Sequence, residues 1–322
     1  MITGIPGFLL NCFSIIAMSA ILVIAIINLA YYCRINPWHL LNAEARQTAL
    51  WFLVVSPWLT GIIAATIVMS MSNSTLAMIF DNQLIHWHHP DTFTLASWHG
   101  YFVLATLGLA AFLSLRIIRR LRRSNTTIQT LSMLAMPRTD GVHILDTETP
   151  AAFTAGMKNP LCFMTSALVR SLNADEYTII RLHEEAHARR RDPLRKTLFH
   201  LLTATFPNQI TQTLNQTMNT AMEQSADSAV CGVIPDKAII ARTLVKARRL
   251  SMQTIPANLF LAQACHYSID DIDQRIHYLL TDYKGCSVPA LLIVLLLCIF
   301  SIACALGADT IHHAVELSLR HS

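Results

Sequence analysis

Charge is what this sequence has least of. Only 14% of its 322 residues are Asp, Glu, Lys or Arg, against roughly 25% in soluble domains, and the mean hydropathy is +0.43. That deficit excludes an ordinary soluble enzyme over the whole length. The charge is also unevenly placed: 21 of the 24 Lys and Arg lie from Arg116 to Lys284, which leaves nearly uncharged flanks around a basic middle. No CxxC occurs among Cys12, Cys33, Cys162, Cys231, Cys265, Cys286, Cys298 and Cys304, so disulfide scaffolds and Cys-type zinc fingers are excluded. Their scatter is that of small hydrophobes and reduced thiols, which places the soluble part in a reducing compartment. A glycine-rich phosphate loop and internal repeats are missing too.

Long apolar runs are what fills the flanks. No charged side chain precedes Arg34, and Phe8 to Cys33 exceeds the roughly 20 apolar residues a helix needs to cross a bilayer. The run has no basic start, short core or small-residue cleavage site, so it reads as a span and not a signal peptide. A second span covers residues 48–71, with Trp51 as interfacial anchor and Pro57 as a kink. A third covers 95–115, between Trp98 and Tyr101 at one end and the basic RIIRRLRRS at the other; no charged face runs through it, which disfavours a surface helix. A fourth covers 288–306. Lys and Arg near span ends stay in the cytoplasm. Arg34 and Arg46 follow span one and Arg116, Arg119, Arg120, Arg122 and Arg123 follow span three, whereas 72–94 has neither and the tail has only Arg320. The expected fold class is therefore an integral membrane α-helical protein with four transmembrane helices and an inserted cytoplasmic α+β domain. Residues 1–123 hold three spans with an external loop at 72–94, 124–286 the domain, and 287–322 the fourth span and a short external tail. By this pattern both termini lie outside and the inserted domain lies in the cytoplasm.

Within the middle, SNTTIQTLSMLAMPRTDG (124–141) is polar and turn-rich and reads as a connector. Short β-prone runs at 142–147, 151–156 and 161–165, punctuated by Pro150, Gly156 and Pro160, predict a small sheet. Asn173 with Glu176 three residues on resembles a capping box opening a helix over 174–190. Asp192 and Pro193 read as the cap of a helix to about Phe206. Leu214, Met218, Met222 and Ala226 give helical spacing over 210–231, and further helices are predicted over 236–252 and 269–283.

One heptapeptide carries chemistry: Arg181-Leu182-His183-Glu184-Glu185-Ala186-His187. His183 and His187, at i and i+4, share a helix face and can bind one Zn²⁺, with Glu184 placed as general base. Such a site needs a third ligand. Glu223, 36 positions after His187, opens EQSAD within a predicted helix. Asp227, one turn further on, can accept from the outer nitrogen of His183 and fix its tautomer.

HEEAH followed by RRRDP and then EQSAD, preceded by AAFTAGMKNPLCFMTSALVRSLNADEYTIIRL, resembles the BlaR/MecR-type membrane metallopeptidases, the antirepressors of β-lactam resistance. The resemblance covers residues 1 to about 308, spans included. It implies a zincin-like (gluzincin) domain with one Zn²⁺ per chain, held by His183, His187 and Glu223, with Glu184 as base and Asp227 as support. The metal would polarise the scissile carbonyl and acidify a water, Glu184 taking the proton and passing it to the leaving amine. The implied substrate is a cytoplasmic protein of the repressor class, which can enter as a strand on the sheet edge, 161–165 being the candidate. The family's β-lactam receptors carry a penicillin-binding domain after the fourth span, whereas residues 309–322 alone follow Ala308 here; direct covalent sensing of β-lactams is not expected. Two rivals stand. An HtpX-like quality-control protease has two spans between HExxH and the third ligand, and none intervenes here. A non-cleaving zinc receptor or scaffold has no need of Glu184.

Lesser signals have plainer accounts. His86, His88, His89 and Asp91 in the external loop can bind metal or titrate near pH 6, although His and Trp are also at home at a membrane interface. The clusters Arg189–Arg191 and Arg248–Arg249 lack aromatic interleaving, so the partner they predict is anionic membrane lipid and not nucleic acid. Oligomeric state is open, a homo-oligomer included.

Overall fold

The computed structural model describes residues 1–33, 38–72, 91–253, 269–281, 285–287 and 289–320. In chain order the elements are β1 (Ile2–Thr3), α1 (Ile5–Tyr32), a 3-10 turn at Trp38–Leu40, α2 (Ala43–Ser72), β2 (Thr92–Phe93), α3 (Trp98–Leu134), β3 (Met136–Pro137), β4 (Val142–Leu145), β5 (Ala152–Ala155), β6 (Leu161–Thr165), α4 (Ser166–Ser171), α5 (Ala174–Arg189), α6 (Asp192–Thr203), α7 (Asn208–Cys231), α8 (Lys237–Gln253), α9 (Ile269–Leu280) and α10 (Ala290–Arg320). They form two units. Met1–Asn36, Ala49–Leu115 and Val288–Ser322 make the first, and Pro37–Thr48 with Arg116–Ser287 the second.

Ile5–Tyr32, Ala43–Ser70 and Trp98–Arg116, which supply most of the first unit, are long and apolar enough to cross a membrane, and α10 contains a shorter apolar stretch, Leu291–Gly307. Ile15, Met18, Ala64, Val68 and Cys304 pack inward, while Leu9, Ile21, Ile62, Leu104 and Leu295 remain exposed. Apolar residues on both faces are what membrane helices require. Gly61 has a steric reason: a Cβ there would lie 2.7 Å from the carbonyl oxygen of Ile16, so only glycine lets the two backbones meet. Pro57 cannot donate to the carbonyl of Leu53, four residues back. The Ser56 hydroxyl donates to that carbonyl instead, at 3.0 Å.

The second unit is built on a four-stranded sheet in the order β3-β4-β6-β5, with β4 and β6 parallel and the outer pairs antiparallel. Alternate residues of a strand face opposite ways. Phe163 joins Leu145, Phe153 and Ala135 on one face, and Met164 joins Val142, Leu168 and Ile180 on the other. Covered on both faces and paired on both sides, β6 is one of two inner strands and is not the open edge expected at 161–165. That edge is β5. The β5–β6 turn depends on Gly156, whose φ of +118° and whose added Cβ, 2.5 Å from the Asn159 oxygen, both exclude a side chain.

The polar run after span three is not a loop: α3 continues to Leu134. Thr126, Thr130 and Ser132 turn their hydroxyls back onto the carbonyls of Arg122, Thr126 and Gln129, which makes a turn-prone composition compatible with helix.

Helix α5 starts as expected. Asn173 Oδ1 accepts from the Glu176 N–H at 2.8 Å, and Glu176 Oε2 accepts from the Asn173 N–H at 2.9 Å. Asn173→Ala should cost about 1 kcal/mol, read as a lower thermal unfolding midpoint. Hydrogen bonds from Lys246 and from the Asn173 N–H hold the Glu176 carboxyl below its ordinary range. Its contribution is therefore complete above about pH 4.3, the ordinary Glu value, and is lost as pH falls through the lowered one. Wild type and Glu176→Gln should converge in stability in acid.

Candidate metal centre

One turn of α5 separates His183 from His187, and both rings point at Glu223 of α7. His183 Nε2 lies 3.2 Å from Glu223 Oε2 and 3.2 Å from His187 Nε2, and His187 Nε2 lies 3.6 Å from Glu223 Oε1. All three side chains are buried. Donors about 2.0–2.1 Å from a tetrahedral ion stand about 3.3 Å from one another. Two imidazole nitrogens 3.2 Å apart, each within 3.6 Å of one oxygen of a shared carboxylate, supply the donor chemistry of such an ion, with one donor atom of each residue inside 4.8 Å of the others.

A carboxylate stands behind each ring. Asp227 Oδ1 lies 3.0 Å from His183 Nδ1, and Asp192 Oδ2 lies 2.7 Å from His187 Nδ1. A carboxylate on the outer nitrogen leaves the inner one free to ligate. Burial pushes His187 down in pKa, but the Glu223 charge and the Asp192 hydrogen bond override it and carry the ring up to about 10. Burial likewise raises Asp227; the charge of Arg275 and its hydrogen bonds outweigh it and bring the carboxyl down to about 2.

Arg275, on α9, is 1% exposed. It donates from Nε and Nη2 to the two oxygens of Asp227, at 2.8 Å each, and its Nη1 lies 3.3 Å from Glu223 Oε2. Lys196 Nζ stands 3.7 Å from the other Glu223 oxygen. Sequence reasoning missed Arg275, although there was a signal: it lies between Ile272, Ile276 and Leu279 on the apolar stripe of its helix, where a charged residue needs a buried partner.

Asp192 was also misassigned, as a helix cap. Its side chain goes to His187 and to the Arg195 guanidinium, and not to the backbone N–H groups of the first turn of α6. The chain reaches it through Arg191, the one non-glycine residue with positive φ among those described, at 53°. Left-handed backbone costs a branched or long side chain about 1–2 kcal/mol, and here it turns the carboxylate under the ring. Asp192→Asn should weaken metal binding by about 10- to 100-fold, measured by competition with a chromophoric chelator.

Glu184 faces the sheet. The Thr154 hydroxyl, on β5, donates to Glu184 Oε2 at 2.7 Å and lies 2.9 Å from the Glu184 carbonyl. The open edge strand thus touches the residue that follows the first metal-site histidine. Burial and the Glu184 charge push the neighbouring Cys162 thiol up to about 11, leaving it a protonated core residue. In the external-loop set, His86, His88 and His89 lie outside the described residues. Asp91 is exposed, and its carbonyl accepts from the Gly4 N–H at 2.9 Å.

A capped helix bearing two histidines, a glutamate from a second helix and carboxylates behind the rings define a metallopeptidase-type site, in a chain that also carries helices long and apolar enough to cross a membrane. Residues 118–270 match the model of Peptidase family M48. This stretch contains His183, Glu184, His187, Asp192, Glu223 and Asp227 and stops short of Arg275. The match indicates a membrane-associated metallopeptidase.

Proposed function

We propose that the chain is a zinc endopeptidase anchored by four membrane spans, and that it cuts a cytoplasmic protein of the repressor class in signal transduction. The observation that carries this reading is the conjunction of three buried, clustered donors, two imidazoles and a carboxylate, with a buried glutamate beside them. When bound, Zn²⁺ supplies a Lewis acid that polarises a carbonyl and lowers the pKa of a water. His183, His187 and Glu223 hold it, and Asp227 and Asp192 orient the two rings. Thr154 secures one oxygen of Glu184, leaving the other to take a proton and return it to the leaving amine. A substrate strand adds to the free side of β5 and brings its carbonyl to that glutamate. The arginines after span three and the arginine-free 72–94 loop support a cytoplasmic peptidase domain.

The test uses the full chain in detergent or vesicles with cytoplasmic repressor candidates, and new termini are identified by mass spectrometry. Cleavage by the wild type that a chelator abolishes supports the reading. Stoichiometric zinc with no cleavage of any candidate or of the chain itself would move the protein to a zinc-containing receptor.

A further inference from the structure

The segment that enters α2 carries chemistry that a membrane anchor does not need. Gln47, in the second turn of that helix, is 5% exposed, and both ends of its amide are engaged. Its Nε2 donates to the Ala221 carbonyl at 3.0 Å and to Ser225 Oγ at 2.7 Å, two residues before and two after Glu223 on α7. Its Oε1 accepts from Arg195 Nη2 at 2.8 Å. Arg195 Nη1 in turn donates to Asp192 Oδ1 at 3.2 Å, and the second oxygen of Asp192 meets His187 Nδ1 at 2.7 Å. Arg46 runs beside this path: Nη1 donates to Gln224 Oε1 at 3.1 Å, while Nε and Nη2 donate to the carbonyls of Trp38 and Leu41. A buried amide is costly unless it is satisfied, and a helix start needs only solvation or a cap.

The geometry points to Gln47 as a positioning residue for the metal centre, acting through Arg195 and Asp192 on His187 and through the α7 backbone on Glu223. This rests on the metal-site reading above and extends it to a segment far away in sequence. The relay works by orientation. An Asp192 carboxylate pinned on one oxygen by Arg195 presents the other to His187 in one direction, and Arg195 keeps that pose because Gln47 holds its outer nitrogen. Without the amide, Arg195, which is 30% exposed at its side chain, turns to water, Asp192 gains freedom and the His187 ring loses its fixed aim.

The experiment measures metal affinity and not turnover, on the full chain in detergent. Zn²⁺ binding is read by chelator competition, and Co²⁺ is read by its visible absorption, which reports ligand geometry. Gln47→Met keeps the side-chain volume and removes both polar ends; about tenfold weaker Zn²⁺ binding and an altered Co²⁺ spectrum are expected, by analogy with outer ligands of metal-bound histidines. Gln47→Glu keeps an acceptor for Arg195 but sets its second oxygen against the Ala221 carbonyl, so it should recover the part of the loss that runs through Arg195 and bind more tightly than Gln47→Met. Arg195→Met should weaken binding at least as much, and the double variant no further, because residues in one chain of contacts do not add. Should Gln47→Met fold poorly, the Arg195→Met and Gln47→Glu comparison still decides.

Wild-type affinity in both Gln47→Met and Arg195→Met, or strictly additive losses, would overturn the inference, even where the unfolding midpoint drops. A wild-type chain without stoichiometric zinc, or a His187→Ala chain that binds it normally, would instead overturn the metal-centre reading beneath it.

Discussion

A Glu184→Gln chain should load with metal as the wild type does and hydrolyse peptide bonds about 10²- to 10⁴-fold more slowly, the range that a positioned acid–base group supplies. The separation follows from placement. Glu184 is not one of the three clustered donors, and its carboxylate is held by Thr154 from the sheet. Glutamine keeps the volume at a site only 3% exposed and retains an oxygen for the Thr154 hydroxyl, so the packing of α5 against β5 should survive. What glutamine cannot do is take a proton at neutral pH. Bound metal by elemental analysis and turnover of a peptide or protein substrate check the two halves. Equal turnover in both chains would remove Glu184 from the chemistry.

Replacing Arg275 by Met should destabilise the chain by about 3–5 kcal/mol, the cost of leaving a buried charge without its partner. For a domain of this size that lowers the thermal midpoint by roughly 10 °C. Asp227 would lose two hydrogen bonds of 2.8 Å and the cation that holds its carboxyl near 2; Glu223 would lose the guanidinium at 3.3 Å and keep Lys196 at 3.7 Å beside the two histidines. The effect should depend on pH in a definite sense. A carboxyl whose folded pKa is depressed contributes stability above its unfolded value, about 3.9 for Asp, and loses it as pH falls through the folded value near 2. The gap between wild type and variant is therefore full at neutral pH and narrows between about pH 4 and pH 2. Thermal melts across that range test it, and a constant gap would assign the loss to packing alone.

What could be read from the amino-acid order divides by range. HEEAH was legible because four residues of helix place two side chains on one face, a rule that needs no tertiary knowledge. Glu223 and Asp227 were legible through the period of Leu214, Met218, Met222 and Ala226, which sets the buried face of α7. Arg275 escaped because its function exists only once α9 lies along α7. Asp192 escaped for another reason: Asp-Pro is a sound signal for a helix start, and the local rule concealed the contact to His187. The edge strand was misplaced because strand order within a sheet is a matter of pairing, and β5, β6 and β4 look alike as short apolar runs. Gln47 was hidden most deeply. The chain around it reads as the approach to an apolar span, and nothing local separates a solvated glutamine from a buried one.

Helix α2 is unbroken from Ala43 to Ser72, and the amide of Gln47 is carried on it. The hydrogen bonds of that amide measure 2.7 to 3.0 Å, and such bonds fail by about 3.5 Å. A displacement of the Gln47 amide by about 0.7 Å along its 2.8 Å bond to Arg195, a fraction of the 5.4 Å helical pitch, takes that bond to its limit. The grip on a bound metal would then register movements of that amide smaller than one covalent bond length.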